Sequence, residues 1–202
     1  MPTPSLTPNP ARSGALSIHV FGHPSAHPEA IAELFGGVSA QSPPESCDLA
    51  IFVIDPALGI DGATIENWEA LNDSMPPRMV IVTGIENQEA DFDDAVLLAN
   101  RVFDLTVTPY LVLHDDEGVP CALISLSDLK IHDYSTIPPT ITESDPEHKT
   151  LVAEFRNEYL AAIDVMGEDG FAAGLLFPAI PVWVENGIGV DIVRSYIAEL
   201  EQ

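Results

Sequence analysis

Two short apolar runs constrain the fold of this chain more than any other feature. Residues 49–55 (LAIFVID) and 78–84 (RMVIVTG) each consist mainly of large aliphatic or β-branched side chains. Such runs predict strands that are covered on both faces, as in a parallel sheet that lies between helices. Residues 61–73, between the two runs, place apolar side chains at helical spacing. The sequence therefore predicts a strand–helix–strand unit of an α/β fold.

The chain continues this alternation on both sides of the two runs. A strand at 16–22 and a helix directly after it come first, and a helix that starts with acidic residues follows at 91–103. A strand at 180–184 and a helix at 189–200 close the chain. The pattern predicts a three-layer α/β fold with a mainly parallel sheet.

The region before the last strand does not fit the alternation, and we predict that it is an insertion. Residues 109–126 indicate two strands around a polar turn, and 129–134 indicate another short strand. We expect a connecting loop at 135–148, a helix at 147–166 and a helical stretch with Gly and Pro at 167–178. This predicts a disordered tail at 1–14 and one domain at 15–202, which carries a small β-hairpin and helical insertion at about 115–178.

The charge of the chain limits its partners. It has 7 lysine and arginine residues against 32 aspartate and glutamate residues, for a formal net charge of −25. Direct nucleic-acid binding depends on basic side chains, so we expect none. Two interpretations are open: a solvated acidic surface that aids solubility, or attraction to a basic protein partner. No apolar run is long enough to cross a bilayer and the tail has no apolar signal segment, so we expect a cytoplasmic protein without membrane contact.

Several local strings follow one family pattern. Residues 49–71 (LAIFVIDPALGIDGATIENWEAL) match the form AxxVVDAxxGVxxxTxxxWxxA at Val53, Asp55, Gly59, Thr64 and Trp68. Residues 79–92 are similar to xxFVNKxDRxxADF, 118–134 to G-xx-xxxVDLxxxKAxxY, and 180–200 to PVxxGSAxxxIGVxxLLDxxxxYL. Together they resemble the nucleotide domain of elongation factor G and related translational GTPases. The resemblance covers about residues 15–200 and implies a truncated three-layer fold of the P-loop GTPase type.

The phosphate loop of that family, GHxxAGKTT, aligns with residues 22–30 (GHPSAHPEA). Gly22, His23 and Ala26 match, whereas His27 replaces a glycine, Pro28 the lysine and Glu29 the first threonine. The lysine binds the β- and γ-phosphates and the threonine hydroxyl binds magnesium. Pro28 also removes a backbone N–H donor. A carboxylate about 4 Å from a phosphate adds a repulsion of about 4 kcal/mol at an effective dielectric constant near 20.

The other nucleotide motifs are altered in the same direction. Thr83, Gly84, Ile85 and Glu86 stand where the family has Asn-Lys-x-Asp, and the switch regions and the Ser-Ala element have no counterpart. The resemblance thus implies a pseudo-GTPase with no catalytic residue, no metal and no cofactor. Its degenerate nucleotide-binding positions are Gly22, His23, Ser25, His27, Glu29 and Glu86.

Other candidate sites have simpler interpretations. His19, His23 and His27 recur every four residues, but they span a strand, a loop and a helix start, so a metal site is not expected. The acidic residues at 91–94 suit the first turn of a helix. Trp68 and Trp183 fit core positions.

Loss of the switch strands is expected to leave the strand at 16–22 near a sheet edge. We expect residues 36–48, a second copy of the chain or a partner to cover that edge.

Three functions follow as hypotheses. The first is a non-catalytic protein-interaction or regulatory module. The second is a nucleotide-binding protein with an unconventional loop, in which Glu29 holds a metal and His23 or His27 contacts phosphate. The third is mimicry or sequestration of a basic partner by charge.

Overall fold

A computed structural model describes residues 15–87, 91–167 and 169–202. The expected tail at 1–14 and Ala90 of the family pattern lie outside the described residues. In chain order the elements are β1 (Ile18–Gly22), α1 (Pro28–Phe35), β2 (Val38–Ser39), β3 (Leu49–Ile54), α2 (Gly62–Ala70), β4 (Arg78–Val82), α3 (Phe92–Val102), β5 (Thr106–Val107), β6 (Tyr110–His114), β7 (Pro120–Ser125), β8 (Lys130–Asp133), β9 (Thr140–Glu143), α4 (Pro146–Leu151), α5 (Ala153–Met166), β10 (Phe177–Pro181) and α6 (Val190–Leu200).

The larger sheet has six strands in the order β2-β1-β3-β4-β10-β5, and every neighbouring pair is parallel. All residues of β3, β4 and β10 are buried. The two apolar runs are therefore the central strands, as their composition predicts. The mixed α/β class with a parallel sheet is confirmed.

The connections explain how helices reach both faces of the sheet. From β1 the chain passes through α1 to β2 on one side, and from β3 it passes through α2 to β4 on the other side. Because such crossovers are right-handed, movement in opposite directions along the sheet places α1 and α2 on opposite faces. This is the three-layer arrangement that the alternation predicts.

The edge of β1 is covered by residues 36–48, which was one of the three coverings expected from the sequence. The short strand β2 pairs with it at His19–Val38 and Val20–Ser39. Val38 itself is 56% exposed, so the outer side of this edge remains accessible. Pairing of a second chain along the strand at 16–22 stays a prediction.

The insertion is larger than the expected hairpin. Strands β6 to β9 form a four-stranded antiparallel sheet that begins at Tyr110, ahead of the expected start near 115. One side packs on α5 through Ile124, Val152 and Tyr159. Leu123 and Tyr134 join the main hydrophobic core, so the smaller sheet is docked on the larger one.

Three local expectations were wrong. The segment 135–148 is not only a loop, because it contains β9, whose four residues are all exposed and thus show no apolar face. Residues 167 and 169–178 are not helical, since Gly167 ends α5 at a φ of +85° and Gly174 lies in a turn at a φ of +69°. The last strand runs from Phe177 to Pro181 instead of 180–184, within a buried run that spans residues 176–182 and ends before the half-buried Trp183.

Among the described residues, no helix is both long and apolar enough to cross a membrane.

Candidate functional site

A cleft lies where several parallel strands end. The loops after β1, β3, β4 and β10 surround a volume of about 240 Å³. Its lining consists of Ser25, Ala26, His27, Ala30, Ile31, Asp55, Thr83, Gly84, Glu86, Val182, Trp183, Val184 and Glu185. In open α/β sheets, ligands bind outside the carboxyl ends of the strands. This cleft is therefore the candidate functional site.

The loop after β1 begins with a glycine that the neighbouring strand requires. A Cβ atom on Gly22 would lie 2.7 Å from the carbonyl oxygen of Val53. Residues Pro24–Ala26 then form one turn of 3₁₀ helix, and α1 starts at Pro28. The strand–loop–helix geometry expected from the sequence is present.

The backbone N–H groups of this loop are used inside the loop. The Ser25 N–H donates to Nδ1 of His23 (3.2 Å), and the Ala26 N–H donates to the His23 carbonyl (2.9 Å). The His27 N–H donates to the Pro24 carbonyl (3.1 Å). Pro24 and Pro28 have no N–H. From residue 24 to residue 28, every backbone donor is therefore either missing or already bonded, whereas a phosphate loop directs its donors at the anion.

His27 links the 3₁₀ turn to α1 in a left-handed conformation, with φ 54° and ψ 50°. Its ring is 75% exposed and its Nδ1 lies 3.5 Å from Oε1 of Glu29. A glycine would adopt this conformation without steric cost, whereas a histidine is strained in it.

Glu29 repels an anion in the cleft less strongly than its position in the sequence suggests. Its side chain is 63% exposed and it does not line the cleft. Water screens charges at such a position, so repulsion of an anion about 4 Å away falls toward about 1 kcal/mol. The bonded or absent N–H donors of residues 24–28 therefore disfavour an anion more than the charge of Glu29 does.

The opposite wall of the cleft is acidic. Asp55 accepts a hydrogen bond from the Ala57 N–H (2.9 Å), and Gly84 passes so close that a Cβ there would lie 3.0 Å from the Asp55 carboxylate. Glu86 and Glu185 add two further carboxylates. None of the described residues that line the cleft is a lysine or an arginine. The electrostatic environment disfavours an anionic ligand.

His23 does not line the cleft and lies near Asp61, the residue before α2. Partial burial acts to raise the pKa of Asp61, but hydrogen bonds from Thr64 and the nearby His23 ring bring it below its usual value. Asp61 caps α2 by accepting the Thr64 N–H (2.9 Å). His23 therefore contributes to local structure.

The structure does not gather the three histidines into one site. His19 Nδ1 lies 3.5 Å from the Ser17 hydroxyl, while His23 and His27 contact Ser25 and Glu29. In the described parts of the chain, no group of three or more histidine, cysteine, aspartate or glutamate residues could hold a metal ion. Asp91 caps α3 by accepting the Asp93 N–H (2.9 Å), which is the structural role its position suggests.

Of the six positions inferred from the sequence, Ser25, His27 and Glu86 line the cleft, and Gly22, His23 and Glu29 do not. Trp183, expected in the core, is half-buried and forms part of the cleft wall. Its backbone N–H bonds to the Ile188 carbonyl (3.1 Å), which holds a tight turn after β10. The sequence analysis did not identify Trp183 and Glu185 as site residues. They reach the cleft only because the carboxyl ends of β10 and β1 lie at the same edge of the sheet.

Comparisons with known proteins support the resemblance. No protein-family model matches the chain. It is 27% identical over 180 residues to an "Elongation factor G-like protein" of Mycobacterium tuberculosis, found in two strains, and the match covers 79% of this chain and 24% of the relative. A crystal structure from Thermus thermophilus matches with a TM-score of 0.66 at 23% identity, covering 78% of this chain and 26% of that one. The chain thus spans about a quarter of the length of these proteins, and in that part it shares the fold of the Thermus thermophilus structure.

Proposed function

We propose that this chain is a GTPase-like protein that neither binds nor hydrolyses GTP and that acts as a protein-interaction or regulatory module. The observation that carries the proposal is the internal use of the loop donors: residues 24–28 offer no free backbone N–H to a phosphate. The fold retains the scaffold of a P-loop GTPase, while its loops lack the chemistry.

Phosphoryl transfer relies on positioning and on charge stabilisation of the phosphates. A lysine, a magnesium-binding hydroxyl and a set of amide donors normally supply this stabilisation. Here Pro28 and Glu29 replace the first two, and His23 and Pro24 accept the hydrogen bonds of the third. Each change acts against triphosphate binding.

The size and charge of the cleft support the same conclusion. Its volume of about 240 Å³ lies below the roughly 300–1,000 Å³ that is usual for ligand pockets. Asp55, Glu86 and Glu185 would all repel a polyphosphate. The net charge of −25 favours a basic protein as the partner and disfavours nucleic acid. A cytoplasmic location is part of this proposal.

Isothermal titration calorimetry with GTP, GDP and ATP, each with and without magnesium, tests the proposal. We expect no binding up to about 1 mM nucleotide. A dissociation constant below about 10 μM for any of them would refute it.

The triple variant His27→Gly, Pro28→Lys and Glu29→Thr is a matched control. It returns a lysine, a hydroxyl and one backbone donor to the loop, so its affinity for inorganic tripolyphosphate should rise at least about tenfold over the parent chain. An unchanged affinity would show that residues 27–29 do not limit phosphate binding.

A nucleotide-binding protein with an unconventional loop is the second candidate. It is favoured by one observation: Ser25, His27 and Glu86 line a common cleft. In that case nucleotide binding would be measurable in the parent chain and would weaken in His27→Ala. Absence of binding in the parent chain rejects this candidate.

A further inference from the structure

A second, larger concavity lies beside the insertion. It has a volume of about 570 Å³ and separates the amino terminus of α3 from the free edge of β6. We call it the β6 groove and define it by Asp91, Phe92, Asp93, Leu111, Val112 and Phe155. It does not share a lining residue with the cleft described above.

The edge of β6 presents unused backbone groups to this groove. The Leu126 N–H donates to the Pro109 carbonyl (2.9 Å), so residues 109 and 126 form a hydrogen-bonded pair across β6 and β7. Because bonded and non-bonded pairs alternate in antiparallel sheets, the pair Val112–Leu123 is a non-bonded one. The N–H and C=O of Val112 therefore point away from β7. Neither forms a hydrogen bond with any residue that the structure describes.

The walls of the groove are apolar on both sides of this edge. Leu111 belongs to the cluster beneath α5, whereas Val112 packs against the main core, and both are only half-buried. Phe155 of α5 is 41% exposed at the mouth, and Phe92 lies buried at the base. An added strand would place alternate side chains against these two walls.

The rim of the groove is acidic. Asp91 and Asp93 lie at the start of α3, on the side facing β6. Partial burial, together with the neighbouring Asp91 and Asp94, raises the pKa of Asp93. A cation placed here would stabilise the ionised carboxylate. This charge, together with the net charge of the whole chain, complements a cationic ligand.

We propose that the β6 groove binds an extended cationic segment of a partner protein, which adds as a strand to the edge of β6. Lysine or arginine side chains of the segment face Asp91 and Asp93, and its apolar side chains pack on Phe155 and Leu111. Backbone bonds to Val112 give affinity and the walls give specificity, as in other strand additions. This inference rests on the proposed function, because it assigns a surface to the interaction module.

The binding test uses the full chain and a fluorescein-labelled peptide, acetyl-Lys-Val-Lys-Phe-Lys-Val-Lys-amide. Anisotropy at low salt should give a dissociation constant of about 10–100 μM. A peptide of the same sequence with N-methyl groups on alternate amides keeps its charge but loses backbone donors. It should bind at least about tenfold more weakly if strand addition is correct, whereas general attraction to an acidic protein would leave the affinity unchanged.

Variants of the chain locate the site. Val112→Pro removes the outward N–H at an edge position, where proline is tolerated, and should abolish binding. Ile141→Pro is the matched control. Tyr134 and Cys121 form a hydrogen-bonded pair, and alternation from that pair makes His132–Ile141 a non-bonded pair. The backbone N–H of Ile141 therefore points outward from β9, at the opposite edge of the sheet. This variant should bind like the parent. Phe155→Ala should weaken binding about fivefold to tenfold through lost apolar contact, and Asp93→Asn should weaken it about twofold to fivefold.

Several results would overturn the proposal. They are absence of binding at about 1 mM peptide, equal affinity of the N-methylated peptide, and equal loss in Val112→Pro and Ile141→Pro. If circular dichroism shows that Val112→Pro does not fold, the N-methylated peptide and Phe155→Ala decide whether the segment binds in the groove as a strand. Deletion of residues 1–14 that raises the peptide affinity more than about tenfold would identify the tail as the occupant instead of a partner.

The nucleotide titration separates this inference from the function on which it rests. Nucleotide binding together with peptide binding would refute the proposed function and retain the groove. Absence of both kinds of binding would agree with the proposed function but would refute peptide binding in the β6 groove.

Discussion

A buried arginine at the amino-terminal end of β4 depends on one carboxylate for its charge balance. The Arg78 guanidinium lies over the rings of both Trp68 and Phe177, at 4.7 and 4.8 Å from their centroids. Its Nη1 donates to Oδ1 of Asn72 (2.8 Å) and lies 3.9 Å from Oδ2 of Asp104. The same Asp104 oxygen accepts the indole N–H of Trp68 (2.9 Å). Asp104→Asn keeps an acceptor for the indole but removes the only carboxylate that pairs with Arg78 in the described parts of the chain.

The geometry sets the size of the effect. At 3.9 Å the attraction is about 4 kcal/mol for an effective dielectric constant near 20 and about 1 kcal/mol in water. The Arg78 side chain is 3% exposed but that of Asp104 is 53% exposed, so solvent screens part of the interaction. We expect Asp104→Asn to lower the free energy of unfolding by about 2 kcal/mol. For a chain of this size, the melting temperature should fall by roughly 4–8 °C.

Urea denaturation followed by tryptophan fluorescence and circular dichroism measures this cost, and a double-mutant cycle isolates its cause. In an Arg78→Met background the buried charge is gone, so adding Asp104→Asn should cost less than about 0.5 kcal/mol. The coupling energy between the two positions should thus be about 1.5 kcal/mol. Equal costs of Asp104→Asn in both backgrounds would refute the reasoning, as would no cost in the parent chain.

Three further predictions concern other parts of the molecule. His27→Gly should raise the free energy of unfolding by about 0.5–1 kcal/mol, because His27 is held at φ 54°; a destabilised variant in urea titration would show that contacts of the ring outweigh the strain. Burial raises the pKa of the Cys47 thiol from 9.0 to about 11, so alkylation of this residue should be slow at pH 8 and its rate should rise toward pH 11. Because the folded state favours the neutral thiol, the stability from this group is complete below pH 9 and is lost between about pH 9 and 11; an alkylation midpoint near 9 would contradict this. Asp191→Asn should weaken the 2.6 Å bond from the Tyr134 hydroxyl and cost about 1–2 kcal/mol, with faster hydrogen exchange in β8 than in β4; equal effects in both strands would argue against local docking.

The central part of the fold could be predicted from sequence because burial on both faces leaves a direct mark on composition. Strands β3 and β4 are such cases, since every residue in each is buried. The strand β9 could not be found in this way. All four of its residues are exposed, and it belongs to the smaller sheet through its pairing with β8. The size of the insertion was underestimated for the same reason, because its outer strand β9 has no apolar pattern in the sequence.

The candidate site shows a similar division. The sequence alone shows that residues 27–29 carry neither a lysine nor a hydroxyl. The remaining backbone N–H donors of the loop are hydrogen-bonded to His23 and Pro24. This bonding depends on a 3₁₀ turn that the sequence pattern does not predict. The cleft role of Trp183 likewise depends on where β10 ends relative to β1.

By itself, the sequence determined the class of the fold, the acidic character of the chain and the absence of a lysine or a hydroxyl at residues 27–29, because these depend on residue type and local spacing. Only the tertiary structure decided which backbone groups remain free. In the loop after β1 none from residue 24 to 28 is available, whereas at the edge of β6 Val112 offers both of its groups. Backbone donors and acceptors are identical in every residue except proline, so their availability is set by the pairing of distant segments and not by the order of side chains.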